Sequence, residues 1–151
     1  MTGPTKALAG VVTALGESPI EPGGVGIDLV EVADVVMFVD AGGVAFLEAA
    51  WTPHELSECE GSIERLAARW AAKEAVMKAL GRGLGQLSPL DVEVQLDVYS
   101  GEPRVVLHRQ ALMRAEERSV VGWSLSLCHE NGWAAAIAIA RTDLRASPRN
   151  G

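Results

Sequence analysis

At 151 residues the chain suffices for one domain with a sizeable core, and its composition is that of an ordinary soluble globular protein. A formal net charge of −7 argues against general affinity for nucleic acid or an anionic membrane, so any polyanionic ligand must be held by a local basic cluster. Cys59 and Cys128 have no CxxC spacing and read as free thiols in a reducing cytoplasm, and no apolar run is long enough to span a bilayer.

Residues 1–24 end in Glu21-Pro22-Gly23-Gly24 and read as a loosely ordered extension with a linker-like end. The compact domain is expected over residues 25–141, with a polar tail over 142–151. Val25 to Val30 suits a short buried strand. Leu29 to Val36 is compatible with a helix that Ala41-Gly42-Gly43 breaks. Thr52-Pro53-His54-Glu55 predicts a helix start, with Thr52 as N-cap, proline in the first turn and Glu55 completing a capping box. Ser62 caps a long helix over residues 63–80 that stops at the glycine-rich Gly81-Arg82-Gly83-Leu84-Gly85. Thereafter strand alternation takes over at Leu90–Val98, and Arg104–Leu107 forms a return strand. A short helix over Gln110–Glu117 precedes a hairpin of Trp123–Leu127 and Trp133–Ala140, joined through Glu130-Asn131-Gly132. The elements predict an α+β fold.

The long helix carries the most informative residue. Positions 63, 67, 70, 74, 77 and 81 share one face, and Glu74 interrupts the apolar residues Ile63, Ala67, Trp70 and Met77. A carboxylate on a buried stripe costs several kcal/mol unless it is paired or bound to metal. Two readings stay open. Glu74 and Lys78, four residues apart in the favourable orientation, suit a solvated ion pair. A carboxylate flanked by Lys73 and Lys78 beside a glycine-rich helix end equally suits Mg²⁺ bound together with substrate phosphates. Asp28 has two readings as well: a helix cap with Glu31 completing the box, or a second metal ligand. His129, near a strand end, reads as structural or surface, and no nucleophile elbow accompanies it.

Val25-Gly26-Ile27-Asp28, then Trp51-Thr52-Pro53-His54-Glu55, then Arg69-Trp70-Ala71-Ala72-Lys73-Glu74-Ala75-Val76-Met77-Lys78-Ala79-Leu80-Gly81 resembles holo-acyl-carrier-protein synthase, the short single-domain branch of the 4′-phosphopantetheinyl transferases. Leu90–Val94 and Ser126-Leu127-Cys128-His129 are similar to family segments as well. The resemblance implies a small antiparallel sheet packed against a long helix and shorter helices. It implies transfer of 4′-phosphopantetheine from coenzyme A to a serine of an apo acyl carrier protein, in fatty-acid or polyketide biosynthesis. Asp28 and Glu74 would hold Mg²⁺, Glu74 and Lys78 would be catalytic, and Arg69, Lys73, Lys78, Gly83, Leu84 and His129 would contact coenzyme A. The family implies a cytoplasmic homotrimer with sites at subunit interfaces.

Three departures accompany the resemblance. The family's first helix carries basic residues that receive an acidic carrier helix; this chain has Val32-Ala33-Asp34-Val35-Val36, with Asp34 where arginine is usual. The late strand reads Ser124-Leu125-Ser126-Leu127-Cys128-His129, where the family often has histidine first and serine before the last histidine. The extension at residues 1–24 has no family counterpart. A second reading is therefore a member that keeps the fold without catalysis, as a coenzyme A-binding or assembly subunit.

Overall fold

The computed structural model describes residues 20–82 and 85–143. Most of the expected N-terminal extension and the tail from residue 144 lie outside them. Strand β1 (Ile20–Glu31) runs into helix α1 (Val32–Ala50), followed by α2 (Pro53–Cys59) and α3 (Ile63–Ala79). A 3₁₀ turn at Pro89–Asp91 leads into β2 (Val92–Leu96) and β3 (Pro103–Leu107), and α4 (Arg109–Glu117) precedes β4 (Val120–Glu130) and β5 (Trp133–Asp143). β1, β5 and β4 form an antiparallel sheet in that order, and β2 and β3 form a separate ribbon. This is the α+β arrangement the sequence predicts. Among the described residues no helix is long and apolar enough to cross a membrane.

The centre of the fold is α3 lying across the inner face of the three-stranded sheet. That face is built from very small side chains. Ala134, Ala136, Ala138 and Ala140 of β5 point inward and are buried. On β1 the inward position Gly26 leaves no room for a side chain: a Cβ there would lie 1.7 Å from the carbonyl oxygen of Ala75, and one on Gly24 2.2 Å from that of Ala79. Absent side chains thus let helix and strand backbones touch. On its other sides α3 buries Ala71, Ala72, Val76 and Met77 against Val92, Val94 and Ala111. A second cluster packs Leu66 and Ala67 with Val32, Val35, Trp51 and Cys59.

One buried polar knot ties α2, α3 and β2 together. Thr52 and Glu55 form the expected capping box, and the fully buried Glu55 also accepts a hydrogen bond from the Val94 amide at 2.9 Å. Lys73 meets Glu55 at 2.7 Å and donates to the carbonyls of Pro89 and Val92 at 2.8 and 2.7 Å. Three donors find three acceptors, which is what makes a buried ammonium tolerable.

Several sequence expectations change. β1 begins at Ile20, because Ile20 to Pro22 pair with Asp143 to Arg141 of β5 and a register shift between Pro22 and Gly24 absorbs the linker-like residues. Its outward residues Val25, Ile27 and Leu29 are exposed, so this is not a strand buried on both faces. Asp28 caps nothing: it lies within β1, and α1 starts after Glu31 without a side-chain cap. Gly43 does break α1, with φ 59° and ψ −145° that only glycine adopts readily, but helix resumes beyond it. Asn131 and Gly132, both at positive φ, make the tight turn between β4 and β5.

Because the β1–α3 contact has no spare space, Gly26→Ala is expected to cost roughly 1–3 kcal/mol through overpacking. Urea unfolding measures this; unchanged stability would mean that the two backbones separate freely.

Candidate active site

Asp28 follows Gly26 by two residues and therefore shares its inward direction, opposite Ala136. Glu74 and Lys78 are one turn apart on the part of α3 that crosses β1. Lys78 Nζ reaches over to β1, donating to Asp28 Oδ1 at 2.7 Å and to the Ile27 carbonyl at 2.9 Å. The expected Glu74–Lys78 pair is thus replaced by a Lys78–Asp28 pair. Glu74 is left with its Oε1 buried and without a hydrogen-bond partner. Burial pushes the Glu74 carboxyl above the ordinary glutamate pKa, the Asp28 carboxylate pushes it further, and Lys78 offsets part of the effect.

These residues fit a hard divalent cation. The Asp28 and Glu74 carboxylates repel one another electrostatically, and Glu74 holds a buried oxygen without a hydrogen-bond partner; a cation with oxygen affinity relieves both penalties. No third histidine, cysteine or carboxylate joins them among the described residues. Two carboxylates with open positions for water and phosphate is a set Mg²⁺ commonly takes. Lys78, half-exposed, adds a movable positive charge for phosphate.

The other expected ligands are placed differently. Lys73 is only 1% exposed and is saturated by Glu55 and two carbonyls. Its burial pulls the ammonium below the lysine range, with Glu55 opposing. Arg69 donates from Nε to the Val94 carbonyl at 3.3 Å and pairs with Glu58 at 2.7 Å. Both turn toward β2, where their partners are carbonyls of the 3₁₀ turn and ribbon and acids of α2. His129 is exposed on β4, in register with Ala134 and through it with Val30. Two strand spacings, roughly 10 Å, keep it from β1. Gly83 and Leu84 lie outside the described residues. Residue-by-residue reading also overlooked Arg114 and Arg118, which donate to the Leu80 and Ala79 carbonyls at 3.1 and 3.0 Å and so cap α3 beside the glycine-rich stop. Their spacing of four on α4 was the available signal. Next to them a cleft of about 190 Å³ is lined by Arg82, Gln86 and Arg114 among others.

Residues 24–138 match the family model of the 4′-phosphopantetheinyl transferase superfamily. The chain belongs to this superfamily. It is 38% identical over 121 residues to the holo-[acyl-carrier-protein] synthase of Herpetosiphon aurantiacus, covering 76% of this chain and 94% of that one. It is 39% identical over 120 residues to the synthase of Moorella thermoacetica, covering 78% and 92%. Among solved structures, Plasmodium yoelii acyl carrier protein synthase with ADP bound superposes with a TM-score of 0.74 at 30% identity, covering 82% of this chain and 97% of that one. The Helicobacter pylori holo-[acyl-carrier-protein] synthase in complex with coenzyme A gives a TM-score of 0.70 at 28% identity, covering 77% and 98%.

In this superfamily member Asp28, Glu74 and Lys78 all lie inside the matched segment. Two measurements probe the assignments. The folded protein keeps the Glu74 proton at pH values where the unfolded chain has already lost it, so stability falls as pH rises through the folded pKa. In metal-free buffer at about pH 8, Glu74→Gln is therefore expected to melt above the parent protein, with the gap closing toward acid pH below the ordinary glutamate value. A lower melting temperature at every pH would mean that the ionised Glu74 is well satisfied. Second, Lys73→Met strands Glu55 as an unpaired buried charge and is expected to cost about 3–5 kcal/mol, whereas Lys78→Met breaks a half-exposed pair and costs about 1 kcal/mol or less. Chemical denaturation of the two variants separates the roles; equal losses would contradict them.

Proposed function

We propose that this chain transfers 4′-phosphopantetheine from coenzyme A to a serine hydroxyl of an apo acyl carrier protein, releasing adenosine 3′,5′-bisphosphate. The observation that carries the reading is the buried Glu74 oxygen without a hydrogen-bond partner, on a carboxyl that feels the charges of both Asp28 and Lys78, themselves bonded to each other. Such a site neutralises and positions a diphosphate, and phosphoryl transfer needs those two services more than a protein nucleophile.

Asp28 and Glu74 would hold Mg²⁺, which supplies charge neutralisation at the diphosphate when bound. Lys78 would leave Asp28 for a phosphate oxygen, placing its charge where negative charge develops. The serine oxygen bonds to the β-phosphorus as the bridging P–O bond to the nucleotide breaks. We assign the serine proton to the Glu74 carboxylate. The arginines at the end of α3, Arg82 above all, would receive the nucleotide phosphates.

We further propose that the enzyme is a homotrimer. Support comes from the outer sheet face, where Val25, Ile27, Leu29, Trp133 and Ile137 are all exposed, Ile27 by as much as 65%. An apolar patch of this kind marks an association surface. Across it His129 would reach a neighbouring subunit's site. We place the reaction in the cytoplasm, supported by two free cysteines.

Incubation with coenzyme A, Mg²⁺ and a panel of apo carriers, read by intact-protein mass spectrometry, tests the reading. Addition of one phosphopantetheine to at least one carrier is expected, with loss of transfer in Glu74→Gln. Bound coenzyme A with no carrier modified would favour a non-catalytic, coenzyme A-binding subunit.

A further inference from the structure

The contact that brings α3 onto β1 is smooth. Gly24 packs on the Ala79 carbonyl and Gly26 on the Ala75 carbonyl, so two residues of strand match four residues of helix. Four helical residues rise about 6 Å and two strand residues about 6.7 Å, so the two repeats nearly coincide. Glycines and alanines set how closely the backbones approach. They resist an axial shift only weakly, because one small residue presents the same shape as the next. Asp28 sits on the strand, and Glu74 and Lys78 sit on the helix, so their mutual geometry depends on that axial register. A directional polar contact is the usual means of fixing a register that apolar packing leaves loose.

Among the described residues two side chains make hydrogen bonds across this contact. Lys78 is one, through Asp28 and the Ile27 carbonyl, but in the transfer reading it leaves Asp28 for phosphate. Arg69 and Lys73 tie α3 to α2 and β2, not to β1. Arg118 is the other. Its Nη1 donates to the Ala79 carbonyl of α3 at 3.0 Å and its Nη2 to the Gly23 carbonyl of β1 at 3.1 Å. One rigid guanidinium thus grips both elements beside the Gly24–Ala79 contact, and its planar fork fixes the separation of the two oxygens. Gly81 leaves room for it, since a Cβ there would lie 3.2 Å from Nη1. The main chain around Arg118 is anchored. Its amide donates to the Ala115 carbonyl at 3.2 Å, and the Ser119 carbonyl accepts from the Asp143 amide of β5 at 3.1 Å. Arg114, one turn earlier on α4, bonds to the Leu80 carbonyl and to Glu117, and so touches α3 without touching β1.

Resting on the transfer reading above, we propose that Arg118 is a positioning residue: its guanidinium fork sets the register of α3 along β1 and so keeps Asp28 and Glu74 aligned while Lys78 moves to substrate. It acts through the two backbones and touches neither substrate nor metal. A lysine at this position keeps the positive charge at the end of α3 but, as a point charge on a flexible stem, does not fix the spacing of two carbonyls.

The test compares the full chain with Arg118→Met, Arg118→Lys and Arg114→Met. NMR of the Gly24 and Gly26 amides and the Ala75 and Ala79 methyl groups, well below the melting temperature, reads the register without substrate. Single sharp signals are expected in the parent and in Arg114→Met, and exchange-broadened or doubled signals in both Arg118 variants. Steady-state transfer is expected to show kcat reduced by roughly tenfold or more in both Arg118 variants, with KM for coenzyme A within about twofold of the parent, because misalignment affects the reacting groups and not the binding of the nucleotide. Arg118→Lys is expected to unfold in urea close to the parent while still losing kcat, which a purely stabilising arginine would not do. Should Arg118→Met not fold, Arg118→Lys decides alone. Sharp parental signals in the Arg118 variants, equal broadening in Arg114→Met, or a rise in KM that accounts for the lost kcat/KM overturns the proposal. Absence of transfer by the parent itself removes the transfer reading, while the NMR comparison still decides whether Arg118 sets the register.

Discussion

The contact between α3 and β1 governs the rest of the molecule. Two backbones approach so closely that a single methyl group on Gly26 would collide with the Ala75 carbonyl. Side chains two residues along the strand and one turn or less along the helix are thereby brought within reach of each other. Asp28 and Glu74, separated by most of the first half of the domain, become neighbours. Lys78 can then bridge from helix to strand, and a carboxyl oxygen is left buried with nothing to satisfy it. The chemistry proposed for the site follows from a packing choice, small residues on both sides of one interface, rather than from any catalytic motif taken alone.

The same helix divides its cations between two tasks. Arg69 and Lys73 turn toward β2, where Val94, Val92 and Pro89 offer carbonyls and Glu58 and Glu55 offer charge. There they replace water with fixed partners, and they hold α2 and β2 against α3. Lys78 turns toward β1 and remains half in solvent. A saturated, buried ammonium cannot respond to a ligand without breaking the fold, whereas a surface ammonium on a long flexible stem can change partners at little cost. Burial therefore separates the bracing lysine from the one free to change partners.

The exposed apolar surfaces have different characters. The outer sheet face presents Val25, Ile27, Leu29 and Ile137 from β1 and β5, beside Ser124, Ser126 and Cys128 of β4, and in its middle is free of charge. Such a face can meet a copy of itself. The α1 face mixes Met37, Phe38 and Val44 with Asp34 and Asp40, and its charge opposes self-association. Surface charge thus makes the outer sheet face, and not the α1 face, the one suited to self-association.

The sequence by itself determined the element types, the α2 capping box, the Ser62 cap, the glycine stop of α3 and the β4–β5 turn, because each depends on residues within a few positions of one another. It also made Glu74 conspicuous and, through the resemblance of Gly26-Ile27-Asp28 and Lys73-Glu74-Ala75 to a known family, joined it to Asp28. It did not reveal that Lys73 and Arg69 turn toward β2, that Lys78 pairs with Asp28 instead of Glu74, or that Asp28 sits inside a strand. Those outcomes depend on which neighbour each face of α3 meets. Helical spacing states which side chains travel together, but only the packed sheet, ribbon and helices decide whether a given charge finds a carbonyl, an acid or open water.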